Sequence, residues 1–169
     1  MKILETERLL LRELSIDDAK FIIDLLNDPS FIQNIGDRKV RTVVDAKAYV
    51  LNGPVASYAK NGFGLSLVIL KATGESIGMC GLIKRDVLED VDIGYAYLPR
   101  YWSNGYAIEA ALAMKSYAKE TVRLKRLAAI VDPANTGSIR VLEKLGMKFE
   151  KMIRLSQDDM ELKFFACEL

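Results

Sequence analysis

The stretch that decides the fold is Val91–Ala110, "VDIGYAYLPRYWSNGYAIEA". Its first part, Val91–Leu98, is β-rich and alternates, so it reads as a strand. From about Gly105 to Thr121 the chain carries an apolar stripe of Ala107, Ala111, Met114 and Ala118, widened by Ile108 and Leu112. That pattern predicts a helix packed on a sheet. Between the two lies Tyr101–Ala107, "YWSNGYA", a short loop with one glycine. A helix that starts this way aims unpaired N–H groups and the positive end of its dipole out of the sheet's end, where an anion is stabilised. Gly105 lets a phosphate approach the backbone, and Ser103 and Asn104 add short polar side chains. Gly94, inside the strand, predicts a bulge or a splayed pairing. Taken alone, the loop also reads as a tight turn that binds nothing.

Working outward, Arg8–Leu14 ("RLLLREL") reads as a strand. Ser15 reads as an N-cap with Asp18 three residues on, opening a helix over Ile16–Asn27 that Asp28 and Pro29 stop. A polar stretch, "QNIGDRKVR", follows. Thr42 and Asp45 repeat the capping pattern ahead of a second helix, broken or kinked at Gly53–Pro54. "FGLSLVIL" and "SIGMCGLIK" form a hairpin around "KATGE". Beyond the long helix come the strand "RLAAIV" and the helix "DPANTGSIRVLEKLG", which stops at Gly146. "KFEKMIRL" and "ELKFFACE" close the chain as a hairpin around "SQDDM". Three consecutive strands between helices predict a mixed sheet rather than a doubly wound parallel one.

The chain has 169 residues, enough for one domain with a substantial core. Its net charge of +1 gives no reason to expect nucleic acid or an anionic membrane as partner. No apolar run is long enough to span a bilayer. The N-terminal stretch "MKILETERLLLREL" lacks a small-residue cleavage site and does not read as a signal peptide. The only cysteines are Cys80 and Cys167, and histidine is absent. That excludes the usual zinc spacings and any histidine-dependent triad, and no metal is expected. The composition reads as a reduced, cytoplasmic protein with both cysteines packed in strands.

In "DPANTGSIRVLEKLGMKFE", Asn135 is placed to cap a helix whose first turn contains Ser138. By themselves both read as caps. Together with Val91–Ala110, and separated from it by one strand, they form a pattern. The chain resembles the GNAT superfamily of acyl-CoA-dependent N-acetyltransferases, and more narrowly the branch that includes the ribosomal-protein N-terminal acetyltransferases. The resemblance runs through "ETERLLLREL" and the helix ending "NDP", "IGMCGLI", "VDIGYAYLPRYWSNGYAIEA" and "NTGSIRVLEKLGMKFE", nearly the whole chain. It implies a single-domain α/β (α+β) GNAT fold. Its sheet would be mixed and mostly antiparallel, with about seven strands flanked by about four helices and splayed at residues 91–98.

The resemblance also implies a site. The strand matching Val91–Leu98 is bulged, and its backbone pairs with the pantetheine arm of CoA. The loop matching Trp102–Ala107 wraps the pyrophosphate with main-chain amides. The residues matching Asn135 and Ser138 lie beside the pantetheine and its sulfur. The implied CoA contacts are Tyr95, Tyr97, Leu98, Trp102, Ser103, Asn104, Gly105, Tyr106, Ala107, Asn135, Ser138 and Arg140. Trp102 is usual in the branch, although the superfamily often has Gln or Arg there. Ser103 departs from it, because the branch usually has Gly. The Cβ of Ser103 would crowd the diphosphate, or its hydroxyl would add a hydrogen bond.

The implied mechanism is direct attack of a primary amine on the thioester of acetyl-CoA. A base or a water chain removes the amine proton, and a strand amide left free by the bulge serves the oxyanion. Asp92 stands where related enzymes often carry Glu; it reads either as the base, acting through water, or as a strand carboxylate or salt bridge. Ser138 reads as proton donor to the leaving thiolate or as a first-turn serine. Glu109 suits the helix dipole. Tyr95, Tyr97, Tyr101 and Tyr106 read as packing or as the lining of an acceptor site. "DRKVR" (Asp37–Arg41) reads as a solvated loop, which the resemblance sets at the border of the acceptor pocket, where it would meet an acidic peptide. Arg140 and Lys144 are surface cations, with Arg140 better placed for the 3′-phosphate of CoA. Three functions follow: acetylation of a protein N-terminus, acetylation of a small amine such as a polyamine, amino acid or aminoglycoside, or CoA binding without turnover. A monomer or a homodimer fits each.

Overall fold

A computed structural model describes residues 1–169. Its strands are β1 (Lys2–Glu5), β2 (Leu9–Glu13), β3 (Leu65–Leu70), β4 (Ser76–Ile83), β5 (Asp92–Tyr97), β6 (Arg126–Val131), β7 (Lys148–Ile153) and β8 (Leu162–Glu168). They form one eight-stranded sheet in the order β1-β2-β3-β4-β5-β6-β8-β7. The expected mixed sheet is present, with β1 as a strand that the sequence reading did not include. The helices are α1 (Ala19–Leu26), α2 (Pro29–Asn34), α3 (Val43–Val50), α4 (Ala56–Asn61), α5 (Tyr106–Glu120) and α6 (Thr136–Lys144).

Local chemistry sets most boundaries. Ser15 and Asp18 form a reciprocal capping box, as do Thr42 and Asp45. The first helix begins as a 3-10 turn, Ile16–Asp18, and Asn27 caps its end. Pro29 does more than stop it. Asp28 caps a new helix, and a proline in its first turn loses no hydrogen bond there, so α2 begins where only a break was expected. The kink at Gly53–Pro54 is a π-helical segment, Leu51–Val55, that joins α3 to α4.

Two aliphatic cores cover the two faces of the sheet. Ile22, Leu25, Val50, Leu67 and Met79 are buried under α1–α4, while Val68, Ile77, Leu82, Met114, Leu127 and Leu142 are buried under α5 and α6. Each such side chain contributes about 1.5–3 kcal/mol when fully buried. The α5 stripe differs from expectation at two positions. Ala110 is buried with Ala111, Met114 and Ala118, whereas Leu112 is 49% exposed. Leu112 lies one residue, and so about 100°, beyond Ala111 on the helix wheel. Cys80 is buried in β4 and Cys167 is half-buried on β8, both as free thiols. No helix is long and apolar enough to cross a membrane.

The sheet opens at β5. Strands β4 and β5 pair without a register shift from Gly78↔Tyr97 to Ile83↔Asp92. Strands β5 and β6 are parallel neighbours that share one registered pair, Asp92↔Ala128. The splay therefore lies between β5 and β6, and Gly94 forms no bulge. Its missing side chain serves packing instead, since a Cβ there would stand 2.7 Å from Cδ1 of Ile83.

Candidate active site

Where β5 leaves β6, a cavity of about 550 Å³ forms. Leu98 N–H donates to Ile77 O at 3.1 Å. Alternation along an antiparallel ladder then turns the main-chain groups of Tyr95 and Tyr97 away from β4, into the gap. The Tyr97 carbonyl there accepts the Trp102 indole N–H at 2.9 Å, which fastens the following loop to the end of β5.

The start of α5 is bare. No protein group accepts from any main-chain N–H between Ser103 and Ile108. Gly105 is the N-cap at φ +80°, without a capping side chain, and Ser103 is left-handed at φ +63°. The loop is held from outside. The Asn104 side chain donates to the carbonyls of Tyr101 (3.2 Å) and Trp102 (2.9 Å). Arg8 donates to Asn104 O at 2.9 Å and lies 4.5 Å from the centre of the Tyr106 ring. Arg8 also pairs with Glu109, Nε to Oε2 at 2.7 Å, and Glu109 accepts from the Thr6 hydroxyl at 2.6 Å. Partial burial pushes the Glu109 carboxyl up, but bonds from Thr6 and Arg8 outweigh it and the net direction is down. Glu109 is thus a tie between the β1–β2 turn and α5 as well as a dipole partner. A Cβ at Gly105 would lie 3.3 Å from Arg8 Nη2, so glycine here admits the guanidinium as well as the turn.

The start of α6 is mostly closed, with only the Gly137 N–H lacking an acceptor. Asn135 Oδ1 accepts Ser138 N–H at 3.2 Å. The Ser138 hydroxyl lies 2.8 Å from the Tyr95 hydroxyl, which also reaches Ser138 O at 3.1 Å. Tyr95 thereby bridges the gap from β5 to α6. Burial pushes its phenol pKa up, so it stays a neutral hydrogen-bonding group at neutral pH.

Side chains alternate along β5. Ile93, Tyr95 and Tyr97 face α5 and α6, while Ala96, and with it Gly94 and Asp92, face α1–α4. Asp92 is 1% exposed and accepts Arg85 Nε at 3.0 Å. Burial lifts its carboxyl above the usual carboxylate range, and the Arg85 guanidinium pulls it back in part. Asp92 is thus ion-paired, with a partner that the sequence reading did not name. On this side Phe31, Arg38, Tyr49 and Arg85 line the cavity. Arg38 alone of "DRKVR" does so. Arg41 is turned to Asp37 and Asn27, each at 2.7 Å.

One cavity thus gathers Asp92, Tyr95, Tyr97, Trp102, Ser103, Gly105, Tyr106, Ala107, Asn135, Ser138 and Arg140, together with Tyr101 and Lys144. Leu98 and Asn104 do not line it. Leu98 is buried in the core beneath α1–α4, and Asn104 is turned into its own loop. Sequence reasoning missed Arg85, although Ile83↔Asp92 pairing sets residue 85 just past Asp92 across the turn. It also missed the clamp formed by Arg8.

Residues 8–148 match a family model described as an acetyltransferase (GNAT) domain. The chain is 42% identical over 99 residues to the uncharacterized protein YkkB of Bacillus subtilis (strain 168), covering 56% of this chain and 58% of YkkB. The match thus spans little more than half the length of that relative. It is 31% identical over 157 residues to the uncharacterized N-acetyltransferase p20 of Bacillus licheniformis, covering 91% of this chain and 86% of p20. A solved structure titled RimL, ribosomal L7/L12 α-N-protein acetyltransferase in complex with coenzyme A, shares the fold. Its TM-score is 0.85 over 100% of this chain and 98% of that chain, at 14% identity.

Proposed function

This chain belongs to the GNAT acetyltransferase family, and from that premise we propose that it carries acetyl from acetyl-CoA to the amine of a protein N-terminus. The observation that carries the reading is the run of main-chain N–H groups from Ser103 to Ile108 that no protein atom accepts. Such a run at a helix start fits a diphosphate. The gap beside the Tyr95 main chain fits the extended pantetheine arm, which has amides of its own to pair. Arg140 and Lys144 at the rim have no ion pair and suit the 3′-phosphate. The protein titled RimL holds coenzyme A on this fold.

Acetyl-CoA supplies the activated carbonyl. The amine nitrogen bonds to that carbon, the carbon–sulfur bond breaks, and CoA leaves as thiolate. One amine proton must go, and Asp92, whose carboxyl burial makes a stronger base than an ordinary carboxylate, takes it through water. Ser138, whose hydroxyl lies 2.8 Å from the Tyr95 hydroxyl, gives the thiolate its proton and takes one back from water, while Asp92 returns its own to water. Thiol release from acetyl-CoA, measured with a panel of N-terminal peptides and small amines, tests the proposal. Release with peptides supports it, and release with small amines alone moves the acceptor to that class. CoA binding with no release from any acceptor overturns it.

A further inference from the structure

The cavity wall on the Asp92 face bears on the acceptor itself. Only two carboxylates line the whole cavity, Asp92 and Asp132. Neither is free. Asp92 is engaged by Arg85, and Asp132 Oδ1 accepts Ala134 N–H at 2.8 Å in the turn before α6. The cations on the same wall are less committed. Arg85 spends Nε and one terminal nitrogen on Asp92 and keeps the other without a partner. Arg38 is exposed and makes no hydrogen bond or ion pair. Its neighbour Asp37 does not neutralise it, because Asp37 is paired with Arg41 and accepts Lys39 N–H at 2.8 Å.

We infer that the acceptor amine belongs to an acidic peptide, whose early Asp or Glu side chains meet Arg38 and the free edge of Arg85. The inference rests on the acetyltransferase reading and names its substrate class. A polyamine or aminoglycoside entering along the Asp92 face finds the one carboxylate there already paired and two guanidinium groups of its own sign. An acidic peptide finds two forked donors suited to carboxylates. Arg38 then sets specificity without touching the reacting atoms.

The test uses the full chain, acetyl-CoA and three acceptors: the peptides Ala-Asp-Glu-Ala and Ala-Lys-Arg-Ala, and spermidine. The acidic peptide is expected to show a kcat/KM at least about tenfold above the others, a preference that shrinks as salt rises from about 0.05 to about 0.5 M. Arg38→Glu is expected to cost the acidic peptide about tenfold, mostly in KM, and to improve the basic one, with CoA affinity unchanged. Faster turnover of spermidine or of the basic peptide overturns the inference while leaving acetyl transfer in place. So does an unchanged preference in Arg38→Glu. Thiol release with none of the three removes the acceptor reading itself, and the inference with it.

Discussion

The helices α5 and α6 both start from a strand end beside the same gap, yet they end their backbones differently. At α6 the protein satisfies all but one of the first N–H groups, that of Gly137. Asn135 caps Ser138 N–H, and Ser138 and Tyr95 bond to each other. At α5 every N–H from Ser103 to Ile108 is left over, and what the protein supplies instead is shape: Trp102 on Tyr97 O, and Arg8 on Asn104 O and Glu109. A helix start that keeps its donors leaves them to an outside acceptor, which is what the proposed diphosphate cradle requires. One that commits most of them to its own groups holds its first turn in place.

The most damaging way to test that difference is Gly105→Val. A β-branched residue at φ +80° is a severe outlier, and its Cβ would press on Arg8 Nη2. CoA affinity is expected to fall at least about a hundredfold by calorimetry, roughly 2.7 kcal/mol. Affinity within about threefold of the parent would remove the cradle from this loop.

A change outside both helix starts comes next in size. Asp92→Asn is expected to lower kcat by about a hundredfold while leaving CoA affinity alone, and the retained affinity also reports a folded protein. The pH profile carries the sign. A base works when deprotonated, and burial raises this carboxyl's pKa, so kcat should climb with pH through a value above the ordinary carboxylate one near 3.9. In Asp92→Asn that limb should vanish. A profile of unchanged shape would strip Asp92 of the role.

What the sequence made legible follows the same divide. Local rules were readable: the Ser15 and Thr42 capping boxes, the Asn135 cap and the Gly146 stop all stand where the residues put them. Pairings between distant segments were not. Arg8 meets Asn104 and Glu109 across roughly a hundred residues of chain, and a propensity or a spacing rule sees neither. Of the two readings of Gly94, a bulge or a splayed pairing, the splay is present and the bulge is not, for a related reason. Glycine in a strand announces that something comes close, and here it is the Ile83 side chain rather than a ligand. The splay itself is set by how far β6 runs beside β5, which no residue of β5 encodes alone.

Asn135→Ala returns to the two helix starts from the other side. Removing a cap costs about 1 kcal/mol, which in a protein of this size lowers Tm by roughly 2–4 °C. CoA affinity is expected to stay within about threefold, because α6 lends its cap to Ser138 and not to the diphosphate. A hundredfold loss of CoA with no change in Tm would make α6 a binding start like α5.

Ser103→Gly is the smallest change and the one that decides how the α5 start is completed. Ser103 already holds φ +63°, so its amide is presented as a glycine's would be. That conformation costs a serine about 1–2 kcal/mol, paid in the folded chain before any ligand arrives. Glycine relieves it and loses more entropy on folding, so Tm should move little. Affinity for CoA isolates the hydroxyl instead. It lines the cavity and has no partner in the protein, which leaves it free for a phosphate oxygen. Ser103→Gly should therefore weaken CoA by about 0.5–1.5 kcal/mol, a few-fold in Kd. Tighter binding by the glycine variant would show that the Cβ crowds the diphosphate, and that the bare amides alone make the cradle.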